Sequence, residues 1–237
     1  MKKIYTTSAV LFTAALLISN TLIAQVTRNM TVSNFNKVSV SSGIDLYLSQ
    51  GNTEAAKVVG DKDLVDRLLL VKEGSKLNIK YKDNNGLSGM FRGNKSLKVY
   101  LSFKSLDELS ASGGSDVYAQ QTIKTDRMAL ATSGGSDVEL NIVCKDITIQ
   151  ASGGSDLDLK GSATNMDMHI SGGSDVNAED FSVDYAKVHA SGGSDAEIHV
   201  NKALEANASG GSDIRFSGNA SYKKTSSSKS GSVKRIN

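Results

Sequence analysis

The chain contains no proline and a single cysteine, Cys144, and its charges nearly cancel, with 27 Lys and Arg against 25 Asp and Glu in 237 residues. Each shortage excludes something. A lone cysteine cannot staple its own chain, so stability must come from a core and from backbone pairing. No cysteine lies near Ala24, which argues against a lipid-anchored lipoprotein. The absence of proline suits strands that each need their amide hydrogens. Long apolar runs are missing too. Ala9 to Ala24 is uncharged with a short apolar centre, follows Lys2 and Lys3, and ends on a small residue. That is the pattern of a secretory signal over residues 1–24, too short and too weakly apolar for a membrane span. Cleavage before Gln25 leaves 237 − 24 = 213 residues and removes two lysines and no acid, so 25 positive charges face 25 negative ones. A neutral exported chain has no global attraction to nucleic acid or anionic membrane. No integral membrane segment is expected once the signal is gone.

What the sequence does have is one pentapeptide, Ser-Gly-Gly-Ser-Asp, six times over. The copies begin at Ser112, Ser133, Ser152, Ser171, Ser191 and Ser209, and hold 12 of the 22 glycines, so glycine here marks corners. Successive copies lie 21, 19, 19, 20 and 18 residues apart. A fixed period near 20 residues is the signature of a solenoid.

The flanks alternate. Counting from the first Ser as zero, positions −5, −3 and −1 are apolar or small, as in Ile147, Ile149 and Ala151, and positions −4 and −2 are mostly polar, as in Thr148 and Gln150. Positions 5 and 7 are again apolar, as in Leu157 and Leu159. Strict alternation is the mark of a half-buried strand. The parity runs unbroken from −5 to 7, which turns the odd positions inward, including one glycine and the second serine, and the Asp outward. The length variation falls in the remaining arc, expected to be an outer loop that bulges freely. Each coil is too short for a helix plus such strands, so the expected fold is all-β, a parallel β-solenoid with about 20 residues per coil. Glycine reaches the backbone angles a sharp corner demands.

An earlier coil is legible at Val38-Ser-Val40, Ser41-Ser42-Gly43-Ile44-Asp45 and Leu46-Tyr47-Leu48, with Ser42 in place of the first glycine. Leu64 to Leu68 reads as a helical turn or cap, Lys76 to Tyr81 and Leu97 to Leu101 as strands, and Asp83 to Gly93 as a loop tipped by Met90 and Phe91. The expected organisation is a signal at 1–24 and one solenoid at 25–222. Within it, degenerate coils occupy 25–110 and six regular coils 111–216. A basic, Ser-rich segment at 223–237 either caps the last coil or frays.

The repeated corners and the early Ser42-Gly43-Ile44-Asp45 resemble the head GIN domain family of auto-transporter adhesins, secreted β-helical proteins of Bacteroidetes-type bacteria. The resemblance runs from about Val32 to the C-terminus. It implies a right-handed β-helix, a role in adhesion and no established catalytic residue. Asp45 stands where the family name suggests Asn.

Three function classes compete. The preferred one is a non-catalytic binding or adhesion protein, located in the periplasm, at the outer-membrane surface or secreted, that presents repetitive polar ladders to a glycan or surface protein. A polysaccharide-binding or polysaccharide-active β-helix is the second. An enzyme of that sort needs a local, asymmetric carboxylate cluster, whereas the acids here are spread over every coil. A calcium-stabilised solenoid is the third. The candidate binding residues are the corner aspartates Asp116, Asp137, Asp156, Asp175, Asp195 and Asp213. No catalytic residue, metal site or cofactor is assigned. Two smaller features stand out. His169 and His189 share outward position −2 of neighbouring coils, and Tyr47 and Tyr118 share an outward column where a sugar ring could stack. Cys144 falls in the variable arc as a small filler residue.

Overall fold

The computed structural model describes residues 25–82, 97–227 and 230–236. The expected signal at 1–24 and the loop tip with Met90 and Phe91 lie outside the described residues. Among the described residues the fold is built of strands apart from one helix, and no helix there is long and apolar enough to cross a membrane.

The six motif copies make six stacked corners. In chain order the strands are β8 (Glu108–Ser112), β9 (Val117–Ala119), β10 (Ile123–Lys124), β11 (Arg127–Ser133), β12 (Asp137–Val143), β13 (Asp146–Ser152), β14 (Asp156–Ile170), β15 (Asp175–Ala190), β16 (Asp195–Ala208) and β17 (Asp213–Ser217). They follow β1 (Gln25–Met30), β2 (Lys37–Ser41), β3 (Asp45–Gln50), β4 (Ala55–Asp61), α1 (Lys62–Arg67), β5 (Leu68–Glu73), β6 (Lys76–Tyr81) and β7 (Leu97–Phe103), and precede β18 (Ser221–Ser227) and β19 (Ser232–Arg235). Before each corner β8, β11, β13, β14, β15 and β16 pair in parallel, equivalent residue over equivalent residue. After it β9, β12, β14, β15, β16 and β17 do the same. This is the parallel β-solenoid that the period requires.

Facing follows parity in the strands. Ile149, Met168 and Ile198 are fully buried, and Leu140 and Leu159 nearly so, whereas Glu139, Gln150 and Asp158 are exposed. Glu197 departs from this pattern. It is half-buried because Arg215, one rung on, bonds it at 2.6 Å. The second serines, Ser115, Ser136, Ser155, Ser174, Ser194 and Ser212, are all 0 % exposed. The glycines break the parity, since both are exposed in every copy. A corner projects its backbone outward whatever the count.

Identical sequence takes two corner shapes. Gly113 and Gly114, like Gly134 and Gly135, both have positive φ, whereas at the next three corners only Gly153, Gly172 and Gly192 do. There the tiers approach more closely: a Cβ on Gly153 would stand 2.8 Å from Gly134 N, against 3.4 Å from Ser42 N for one on Gly113.

The variable arc is not a free loop. β14, β15 and β16 run through it unbroken, with register shifts between Asp158 and Gly161, Ala178 and Ser182, and Val183 and Tyr185. Ile142, Gly161 and Phe181 stack there in register, and Ile142 and Phe181 are fully buried. The arc is thus a third paired side that absorbs its length differences as bulges. Cys144 lies on it, half-buried, with its thiol pushed up to about 11 by burial first and Asp146 second.

The N-terminal region is interleaved. β2 and β3 form the corner at Ser42 and lie directly beneath β8 and β9, with Ser41 opposite Ser112 and Leu46 opposite Val117. The later strands β6 and β7 lie on the other side of that tier, pairing in parallel with β2 and β3. Three antiparallel pairs, β1 with β4, β4 with β7 and β5 with β6, close this end. At the far end β18 and β19 continue the ladder over β16 and β17. The basic, Ser-rich segment therefore begins as a paired strand, and Arg235 lies 4.8 Å over the ring of Phe216.

Candidate functional site

Parallel stacking in register turns every outward position into a column of one side chain per rung, spaced about 4.8 Å. Position 4 carries Asp137, Asp156, Asp175, Asp195 and Asp213 in unbroken register. Asp116 precedes them and Asp45 sits one tier earlier still, opposite Lys98. At the other end Ser232 follows Asp213 and donates its hydroxyl to that carboxylate at 2.5 Å. The row is thus seven aspartates long, between a lysine and a serine.

Its electrostatics follow from the spacing. Two unit charges a rung apart repel by about 1 kcal/mol in water and more where shielded. The carboxyl of Asp156 is held above its ordinary range by burial first, and then by Asp137, Asp175 and Asp158. Asp116 is raised by burial and by Asp137 and Asp45, against one backbone hydrogen bond from Asp137. Asp45 is raised by burial, with Lys98 pulling the other way. The motif serines do not relieve this. Ser136, Ser155, Ser194 and Ser212 donate inward to the carbonyls of Ser133, Ser152, Ser191 and Ser209, each three residues back. Corner amides do reach two carboxylates in the row, since the Asp137 backbone bonds the Asp116 carboxylate and Asp213 N–H donates to Asp195 Oδ1 at 3.1 Å.

The next outward column, position 6, becomes aromatic toward the N-terminal end. Tyr47 stacks on Tyr118 with ring centroids 5.3 Å apart and on Tyr100 at 4.9 Å. Sequence reasoning found Tyr47 and Tyr118 but missed Tyr100, because β7 follows β3 in the chain yet lies below it. Alternation placed Tyr100 outward; nothing in the spacing indicated which tier it joins. Lys57 covers the Tyr100 ring at 4.8 Å and Lys98 stands 5.7 Å from that of Tyr47. The ring faces of Tyr47 and Tyr100 are therefore taken, and these two rings present edges and hydroxyls to a partner.

On the opposite strand face His169 and His189 stack at 4.9 Å, flanked in register by Gln150 and Asn207. Asp167 Oδ1 lies 3.4 Å from His169 Nδ1. These side chains line a groove of about 570 Å³ with the first serines of their corners. Among the described residues no group of three or more His, Cys, Asp or Glu is placed to hold a metal ion. The geometry gives the reason. Side chains in a ladder run parallel, so a row offers one carboxylate or imidazole per rung and never gathers several about a point.

A family model described as "Putative auto-transporter adhesin, head GIN domain" matches residues 34–220. Among solved structures, a "putative adhesin" from Bacteroides fragilis superposes with a TM-score of 0.83 at 20 % identity, covering 90 % of this chain and 97 % of that one. A "putative adhesin" from Parabacteroides merdae gives 0.69 at 19 %, covering 90 % and 96 %. A "putative lipid binding protein" from Parabacteroides distasonis gives 0.67 at 20 %, covering 90 % and 97 %. At these identities the likeness is one of fold. No curated protein matches the chain.

Proposed function

Because the chain belongs to the head GIN domain family of "putative auto-transporter adhesins", we propose that it is a non-catalytic adhesion module, working outside the cytoplasm, which holds a surface partner through its outward ladders. One observation carries this reading. The corner face repeats the same outward residue on successive rungs, from Asp116 to Asp213, so a partner with its own repeat meets many equivalent weak contacts. Equivalent contacts sum into avidity when they are held on a stiff frame. The same regularity argues against turnover, which needs unlike groups gathered at one place. Fold alone decides nothing here.

The test uses the chain from Gln25 onward, immobilised and exposed to cells, mucin, and pectic, uronic and host-type glycans. Retention without release of oligosaccharide or unsaturated product is the expected result. Reproducible cleavage that disappears on mutation of one local carboxylate group overturns the reading in favour of an enzyme.

A further inference from the structure

His169 and His189 belong to a longer wall. Gln150, His169, His189 and Asn207 stand in register on four successive rungs, and the wall stops at Ala131, one rung below Gln150. Two residues further along each strand, the first serines of the corners, Ser152, Ser171, Ser191 and Ser209, form a second and lower row. Backbone amides of Ser171, Ser191 and Ser209 tie that row to the rung beneath. Wall and row enclose the groove of about 570 Å³. We propose that this groove holds an uncharged, extended glycan chain lying along the solenoid axis, which rests on the adhesion reading above and gives it a ligand class and a face.

The lining sets the charge of the ligand. Among the described residues no Lys, Arg, Asp or Glu lines the groove, whose polar groups are amides, imidazoles and hydroxyls. The neighbouring outward column places Asp167, Lys187 and Glu205 in register, one lysine against two acids, so an anionic chain meets no excess of positive charge there. The lining groups are also open to a ligand. Among the described residues the side chains of Gln150, His189 and Asn207 and the hydroxyls of Ser152, Ser171 and Ser191 have no hydrogen-bond partner. Asp167 faces Nδ1 of His169 at 3.4 Å, which leaves Nε2 of that ring. Because the two rings stack on each other, they offer nitrogens and edges to a partner.

Spacing decides between a glycan and a peptide. Rungs repeat about every 4.8 Å, whereas an extended peptide advances about 3.3 Å per residue and drifts out of step. One unit of a β-1,4-linked chain is close to one rung in length. Successive units of such a chain are turned over, which exchanges the two hydroxyl edges of the ring. The amides of the wall and the hydroxyls of the serine row both donate and accept, so either orientation finds partners. The wall is about 14 Å from its first rung to its last, room for a short run of sugars. An acyl chain fits poorly, because it would strip water from these groups and leave them unpaired.

The experiment titrates β-1,4-linked tetrasaccharides of glucose, mannose, xylose and N-acetylglucosamine into the protein from Gln25 onward, with polygalacturonate and sulfated oligosaccharides as charged comparisons. Calorimetry gives the affinities. The chain has three histidines, so ring C–H resonances report the place: those of His169 and His189 should shift, while that of His199, bonded to Ser217 and Asn201 on the arc, should stay. At least one uncharged tetrasaccharide is expected to bind, with affinity falling roughly three- to tenfold in His169→Ala, His189→Ala and Gln150→Ala. Lys145→Ala, exposed on the arc, should bind as the parent does. Adhesion to cells and mucin is scored in parallel. If the parent adheres but no uncharged chain binds, or the three groove variants bind as tightly as the parent, the groove inference fails while the adhesion reading stands. Uncharged binding that those variants weaken, without adhesion, supports the groove and sinks the adhesion reading. If neither is seen, both fail.

Discussion

Ile44 donates its buried backbone N–H to the hydroxyl of Ser115 at 3.2 Å, across 71 positions of sequence. The bond joins the Ser42 corner to the first full motif, two tiers that touch in space although β4, α1, β5, β6 and β7 intervene in the chain. Ser115→Ala leaves that amide with no acceptor, and a buried unsatisfied donor costs about 1–3 kcal/mol. Ser194→Ala is the comparison, because its hydroxyl bonds the carbonyl of Ser191 within its own corner at 2.9 Å. Chemical denaturation should show the larger loss for Ser115→Ala, with hydrogen exchange at Ile44 accelerated. Equal losses would show that the inter-tier bond has no special weight.

Inward facing predicts a second contrast. Ile149 is fully buried and its neighbour Gln150 exposed. Ile149→Ala should cost about 2–5 kcal/mol and Gln150→Ala close to nothing. Thermal melts of the two variants give the answer directly.

Two adjacent glycines of one motif should behave oppositely. Gly153 has φ +84° and a Cβ there would sit 2.8 Å from Gly134 N, whereas Gly154 has no positive φ and nothing within 4 Å. Gly153→Ala therefore combines left-handed strain with a backbone clash, about 3 kcal/mol together. Gly154→Ala should be neutral, or stabilising by up to about 1 kcal/mol through the unfolded chain. Equal melting temperatures for the two variants would mean that the corners do not pack as described.

The aspartate row makes a pH prediction. A carboxyl raised in the folded state binds more protons there than in the unfolded chain, so stability falls as pH rises from its ordinary value through its raised one. Asp156 is such a group, which makes its charge a burden at neutral pH. Asp156→Asn should raise the melting temperature at pH 7, and the gain should vanish well below the ordinary carboxylate range. Glu108 has the opposite sign. Lys76 first, and then Lys37, lower its pKa, so its contribution is present at neutral pH and lost on acidification. Glu108→Gln should lower the melting temperature at pH 7. Because the row offers single carboxylates in line, millimolar calcium or a chelator should leave the melting temperature unchanged. A steep rise with calcium, abolished by Asp156→Asn with Asp175→Asn, would reverse that reading.

The regular coils were legible because each repeats the same contacts with its sequence neighbour. Ile147, Ile149 and Ala151 face inward for the same reason as Met166, Met168 and Ile170, and alternation alone reveals it. The pairs His169–His189 and Tyr47–Tyr118 were legible for the same reason. Two other features were not. The tier holding Tyr100 is inserted out of chain order, and periodicity carries no information on which strand a later strand will cover. Tyr185 lies in the arc of variable length, where count-based registers fail because bulges between Ala178 and Ser182 and between Val183 and Tyr185 shift the pairing. The tier position of Tyr185 was therefore hidden until the arc proved to be a paired side.

The interleaved N-terminal tiers give the rod a mechanical polarity. A load applied at the C-terminal end can strip β19 and β18 and then each tier in turn, since every one is held from one side alone once its outer neighbour has gone. A load entering through β1 meets β2 and β3 wedged between β6 and β7 below and β8 and β9 above. Drawing that tier out requires two ladders to fail together. The molecule therefore unravels easily from one end and resists tension from the other.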